Sequence, residues 1–162
     1  AKYRVGGRKM KAVCIVLLVA MIVGLDAHCQ VPCGIFDDNM RIKQMKEDVS
    51  TIQKAMNNIK SIIEGDDLSP LTFNQASRWV STKENHASHI IETISEYFLS
   101  QRVKEVPPTS LDYPAYLEKL HRHHLVMRAA MKTKQTVEQE DVEKLYALIT
   151  ELEDYYPPEH HH

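Results

Sequence analysis

Between Ile42 and Ile63 apolar residues recur at alternating spacings of three and four: Ile42, Met45, Val49, Ile52, Met56, Ile59 and Ile63. That rhythm lays them along one stripe of a helix, with Gly65 as a stop. A second stripe follows Ser69-Pro70 and runs Phe73, Ala76, Val80, Ala87, Ile90, Ile94 and Tyr97. Thr72 and Gln75 fit a capping box at its start, and Pro107-Pro108 ends it. Asp112 and Pro114 suit the cap and first turn of a third helix, with Leu117, Leu120, His124, Met127 and Met131 as its face. Thr136 and Gln139 offer a second capping box, and Val142, Leu145, Ile149 and Leu152 form a fourth stripe that Pro157-Pro158 closes. Strand signals are nearly absent: there is no Asn-Gly or Asp-Gly turn and no sustained alternation. The predicted fold is all-α, an antiparallel up-down four-helix bundle over residues 37–156, preceded by an irregular segment over 28–36 and followed by a tail over 157–162. The heptad spacing also admits oligomeric helix packing.

The first 27 residues do not continue this pattern. Arg4, Arg8, Lys9 and Lys11 form a basic segment, and Ala12 to Leu25 is an uncharged, mostly apolar run of 14 residues. A membrane-spanning helix needs about 20 apolar residues and a signal-peptide core about 7–15, so residues 1–27 read as a cleavable leader, signal peptide or prosequence, with Met10 fitting a start. The alternative is an uncleaved membrane anchor. Leu25-Asp26-Ala27 ends the run with a small residue where a peptidase cuts, which puts the cleavage site at Ala27-His28. Five of the 20 Lys/Arg and one of the 22 Asp/Glu lie in the leader, so the remainder carries 15 basic and 21 acidic residues, a net charge of −6. No basic stripe survives, which excludes nucleic acid as an expected partner, and the mature form is expected to hold no membrane segment. Export to a periplasmic, extracellular or organellar space is expected, with cytoplasmic maturation as the other route. The closing His160 to His162 are given no role.

Cleavage would give the next residues their chemistry. His28-Cys29-Gln30-Val31-Pro32-Cys33-Gly34 would then offer a free amine, an imidazole, a backbone amide and two thiolates to one metal ion. The His28 amine and the Cys29 amide nitrogen are separated by two carbons, as are that nitrogen and the Cys29 sulfur. A metal held by all three closes two fused five-membered rings. Cys33 can fold back with a second sulfur, with Pro32 and Gly34 shaping the turn. The resulting N₂S₂ plane suits Ni(II) or Cu(II) rather than tetrahedral zinc, with the His28 imidazole free to approach axially. Thiolates and a deprotonated amide donate strongly and favour an oxidised metal. A Cys29–Cys33 disulfide remains open as an alternative, since cysteines of exported proteins most often pair. A structural zinc is a weaker reading, because it asks for four protein ligands.

These residues resemble the hook of the nickel superoxide dismutase family, whose mature N-terminus reads His-Cys-x-x-Pro-Cys-Gly-x-Tyr. Arg78-Trp79, Lys83-Glu84, His86-Ala87 and Tyr97-Phe98 resemble that family's second helix, and Tyr113-Pro114 the start of its third. The likeness covers residues 28–156. It implies a four-helix bundle assembling as a homohexamer, superoxide as substrate, and one nickel ion per subunit. The implied nickel ligands are the His28 amine and imidazole, the Cys29 amide and thiolate, and the Cys33 thiolate. It also implies a dismutase cycling between Ni(II) and Ni(III), matured by a leader peptidase. Phe36 departs from the pattern: the family's tyrosine hydroxyl, which helps close the pocket, is missing, and Tyr97 resembles a second pocket tyrosine of the family. The other readings are a non-catalytic nickel or copper carrier and an exported interaction protein with a Cys29–Cys33 disulfide.

Further constellations have plainer readings. His86 and His89 lie three apart, as do His121 and His124, with Glu118 beside the latter pair. A di-iron bundle needs two Glu-x-x-His motifs and only one is present, so these histidines are expected at helix contacts or subunit interfaces. The heptad methionines are expected as gap-filling core. Arg41 and Lys43 either supply positive potential for an anionic substrate or are solvated helix charges.

Overall fold

A computed structural model describes residues 36–65 and 69–158. The leader (1–27), the hook residues up to Ile35 and the last four residues of the tail lie outside the described residues. The described chain forms four helices: α1 (Asp38–Glu64), α2 (Pro70–Glu92), α3 (Tyr113–Lys134) and α4 (Gln139–Glu151). The α2 helix runs on without a break into a π-wound segment, Thr93–Arg102, and α4 ends in a 3₁₀ turn, Leu152–Tyr155. No strand occurs among the described residues, and none of their helices is long and apolar enough to cross a membrane.

Contacts between helix ends fix the directions. Arg102, at the end of the π segment, meets Asp38 at the start of α1, so α1 and α2 are antiparallel. Lys83 in α2 reaches the end of α3 at Thr133. Asn39 bonds Tyr156, past α4, while Lys60 near the end of α1 pairs with Glu138 ahead of α4. Arg122 in α3 pairs with Glu118 in its own helix and with Glu151 at the end of α4. Each helix packs on two neighbours in the up-down order the periodicity predicted.

Helix starts differ in detail from the sequence reading. Asp37 caps α1, its carboxylate accepting from Met40 N at 2.8 Å. For α2 the cap is Ser69, whose hydroxyl accepts from Thr72 N, with Pro70 in the first turn, rather than Thr72 itself. Asp112 precedes α3 without a side-chain cap bond, and Thr136 accepts from Glu138 N one turn before α4 begins at Gln139. Helix ends need their free N–H groups satisfied, and a hydroxyl or carboxylate just outside does this better than one inside the first turn.

The core takes its mass from the predicted stripes of α1, the later half of α2, and α4: Ile42, Met45, Ile52, Ile90, Ile94, Leu145, Ile149 and Leu152 are all fully buried. Burying such a side chain contributes about 1.5–3 kcal/mol. Two expectations fail. The buried face of α3 is His123, Val126, Ala129, Ala130 and Thr133, while Leu117 and Met131 are exposed. The small Ala129 and Ala130 let α3 approach closely. His123 and Thr133 can be buried because each is bonded inside: His123 Nδ1 donates to the Lys119 carbonyl at 2.7 Å and the Thr133 hydroxyl to the Ala130 carbonyl at 2.8 Å. Polar residues with partners carry little burial cost, so a stripe read from apolar residues alone was rotated by about a third of a turn. The second failure is at the α1–α2 turn, where Ile63, Leu71 and Val80 are exposed and Phe73 is 78% exposed. The α1 helix has 27 residues and α4 has 13. Lys83 meets the end of α3 and Lys60 the residue ahead of α4, so at about 1.5 Å per residue the first turns of α2 and the last turn of α1 project beyond both.

Candidate metal centre

The proposed ligands His28, Cys29 and Cys33, with Ala27, Pro32 and Gly34, lie outside the described residues. Description begins at Phe36, three residues after Cys33, and there the chain enters a dense polar and aromatic cluster. The Asp37 cap starts α1 immediately after Phe36, which places Asp38 in the first turn. Phe36 meets Tyr97 edge-on with ring centroids 5.9 Å apart, so the two pocket aromatics named from the sequence are brought together. The Arg102 guanidinium lies 4.3 Å over the Phe36 ring, and that of Arg41 5.2 Å over Tyr97. Each such cation–π contact is worth about 0.5–2 kcal/mol, more where water is excluded.

The hydroxyl of Tyr97 donates to Asp38 Oδ1 at 2.7 Å. Arg102 grips the same carboxylate as a fork, with Nε donating at 2.8 and 3.0 Å and Nη2 at 2.7 Å. Burial, reinforced by the bond to Asp38, pushes the Tyr97 phenol well above its ordinary range, so at neutral pH it is protonated. The same carboxylate raises Arg102 further still. Beneath Tyr97 the aromatic packing continues through Phe98, at 5.0 Å, to Tyr156, at 4.5 Å. The Tyr156 hydroxyl donates to His123 Nε2 at 2.9 Å, because His123 Nδ1 holds its own proton toward the Lys119 carbonyl. The Lys119 amine lies 4.6 Å over Tyr156, and burial lowers its pKa.

Burial lowers the His123 pKa, the backbone bond to Lys119 opposing it. Between that lowered value and the unfolded value near 6.5 the unfolded chain binds a proton that the folded chain does not. His123 therefore contributes stability above about pH 6.5 that is lost as pH falls toward its native pKa. In His123→Gln the drop in urea midpoint between pH 7.5 and pH 5.5 should be smaller than in the parent, and an equal drop would contradict this.

The remaining candidates separate cleanly. His86 and His89 both turn Nδ1 onto the buried Asp48 carboxylate, at 2.6 and 2.7 Å, and so tie α2 to α1. Glu118 is engaged by Arg122, while His121 and His124 are exposed. Among the described residues no three His, Cys, Asp or Glu side chains are grouped to hold a metal ion. Arg41 joins the Tyr97 cluster and Lys43 is exposed, so the two basic residues divide between the two readings given to them together.

Sequence reading missed Asp38, Arg102, His123 and Tyr156. Asp38 and Arg102 are 64 residues apart and neither belongs to an apolar stripe. No signal was available: in an uninterrupted α-helix Tyr97 and Arg102 would point roughly 140° apart, so nothing in a helical pattern joins them.

The donor set of the hook, an amine, an amide and two thiolates, fits nickel by chemistry. Residues 24–160 match the family model described as nickel-containing superoxide dismutase. No curated protein matches the chain, and no solved structure does.

Proposed function

Because the chain belongs to the nickel-containing superoxide dismutase family, oxidoreductases that act on superoxide, we propose that His28, Cys29 and Cys33 form its nickel site. The observation that carries this is the donor set itself, placed behind a cleavage signal and inside the matched span. The ligands are the His28 amine and imidazole, the Cys29 amide and thiolate, and the Cys33 thiolate, one nickel per subunit. Bound there, nickel supplies the Ni(II)/Ni(III) couple that oxidises one superoxide to oxygen and reduces the next, with two protons, to hydrogen peroxide.

The chain's own residues prepare the site. Cutting the Ala27–His28 bond, the task of a leader peptidase, turns an acylated nitrogen into a free amine, so the precursor is inactive. Pro32 and Gly34 suit a turn that would bring Cys33 back toward Cys29. Phe36 supplies apolar surface that excludes water. Arg41 and Arg102 lie over Tyr97 and Phe36, and Lys119 lies near, so that the two rings are flanked by cationic groups whose field acts at the pocket. Such a field draws a small anion and weakens with salt.

We place the mature enzyme in an exported compartment, on the strength of the leader. Assembly into a homohexamer is supported by the exposed apolar positions Leu117 and Met131 on α3 and Phe73 at the α1–α2 turn, which covering by other copies would remove from water.

N-terminal sequencing of the purified protein with metal analysis tests the ligand set. The expected result is a chain beginning at His28 that carries one nickel. An active, nickel-loaded enzyme with an intact Ala27–His28 bond would overturn it, and a metal-free Cys29–Cys33 disulfide would replace it.

Restoring the hydroxyl in Phe36→Tyr places a donor beside Tyr97 and Arg102. Azide and peroxide inhibition should then change by about two- to tenfold, the worth of one hydrogen bond of about 0.5–1.5 kcal/mol. Unchanged inhibition constants would show that the hydroxyl has no part in anion discrimination here.

A further inference from the structure

The π-wound segment Thr93–Arg102 has a purpose that the bundle alone does not give it. Ten residues of π winding are unusual, since such turns are mostly single and gather at functional sites. The wide turn is evident in bonds five residues apart: Val103 N donates to the Phe98 carbonyl at 2.8 Å, the Ser100 hydroxyl to the Ser95 carbonyl at 2.6 Å, and Gln101 Nε2 to the Glu96 carbonyl at 2.9 Å. Residues five apart thereby come to one face. Tyr97 and Arg102 are five apart, and both bond one carboxylate, Asp38.

Resting on the superoxide dismutase reading, we propose that Asp38 and Arg102 are positioning residues of the reaction, which the π winding brings together to fix the Tyr97 proton and the Phe36 ring and so set how the pocket receives an anion. The argument has three parts. Tyr97 has one hydroxyl proton and spends it on Asp38, so its oxygen faces any third partner as an acceptor only. In a chain that already lacks the hydroxyl at Phe36, neither pocket aromatic then donates to an incoming anion, and recognition falls to the guanidinium groups. Arg102 covers Phe36 with its face while its Nε and Nη2 edge holds Asp38, so its place is over-determined. A bidentate Arg–carboxylate pair fixes orientation in a way a lysine cannot. Finally, the Phe36 ring is held from two sides, by the Arg102 guanidinium at 4.3 Å and by Tyr97 edge-on at 5.9 Å, so its orientation depends on both.

The charge on Asp38 sets the sign of the expected effect. It lies against Tyr97 and Arg102, with Arg41 over the Tyr97 ring, and it lowers the local positive potential. In the mature, nickel-loaded chain, Asp38→Asn should bind azide three- to tenfold more tightly and lower KM for superoxide by less than it changes kcat. The tyrosine doublet in ultraviolet resonance Raman, isolated as the difference from Tyr97→Phe, should shift from a strong donor toward a weaker one. Arg102→Lys keeps the charge but not the fork, and should bind azide two- to fivefold more weakly at unchanged nickel content. Arg102→Met should be weaker again.

A parent-like Tyr97 doublet and parent-like azide affinity in Asp38→Asn would overturn the proposal. If that variant loses helicity, Arg102→Lys decides: azide binding equal to the parent overturns it, and the weakening described supports it. Nickel analysis of the parent separates the two readings. A parent that binds no nickel would sink the metal assignment, yet the Tyr97 doublet of the same chain would still report whether Asp38 holds its proton.

Discussion

One extra residue ahead of His28 should lower nickel affinity and superoxide dismutation together by at least about 100-fold, while the far-ultraviolet circular dichroism stays that of the parent. Losing a partner that merely orients a metal ligand costs about 10- to 100-fold, and losing a ligand costs no less. The extension turns the His28 amine into an amide. One of the two five-membered rings that would share the Cys29 amide nitrogen can then close only if a second amide gives up its proton. Metal binding already requires the thiolates and one amide to be deprotonated, so the added demand falls on affinity. The helices should not notice, because Asp37 caps α1 and the apolar core is built from Ile42 onward. Nickel retained through gel filtration and the rate of superoxide loss measure the two arms. An extended chain with parent-like nickel content and rate would remove the His28 amine from the ligand set.

Lys83→Met should lower stability by about 2–4 kcal/mol, which corresponds to roughly 10 °C in Tm for a domain of this size. Lys83 is only 4% exposed, and its ammonium donates to three carbonyls: Lys134 at 2.6 Å, Thr133 at 2.8 Å and Thr136 at 3.1 Å. Those carbonyls belong to the end of α3 and the turn after it, where helical oxygens lack partners and the helix dipole is negative. A cation there is well placed. Burial pulls the Lys83 pKa down, which records the cost of taking the charge from water, and Glu84 works against that shift. Each bond between a charged donor and a neutral acceptor is worth about 1.5–3 kcal/mol, so three of them exceed the desolvation cost and leave a net loss on removal. Methionine fills the space but leaves three carbonyls short. Lys83→Arg should recover part of the loss. The comparison belongs at matched protein concentration and nickel loading, because both stabilise the folded form by mass action. A Met variant with the parent's midpoint would mean that water satisfies these carbonyls equally well.

The sequence by itself determined the class of the fold and the chemistry of the hook. Four stripes spaced by threes and fours need four helices, and proline and glycine between them leave short connections, so the antiparallel bundle follows from local patterning. The hook was legible because its chemistry is local too: amine, amide and thiolate stand within two residues, and covalent geometry alone decides what rings they close. Tyr97 was legible because it ends an apolar stripe.

Tertiary structure decided what depends on partners distant in the chain. Which face of α3 is buried turned on His123, whose burial is tolerable because the Lys119 carbonyl takes its Nδ1 proton and Tyr156, 33 residues on, supplies a proton to its Nε2. The exposure of Phe73 turned on where α3 ends, level with Lys83 and ten residues further along α2. The cluster around Tyr97 turned on a change of winding that brings Arg102 round to a carboxylate 64 residues earlier. The physical reason is common to all three. A periodic pattern records the average tendency of a helix to turn one side from water, and that tendency is a local property. The satisfaction of a buried polar group is a property of a pair, and the pair is formed only when the bundle closes.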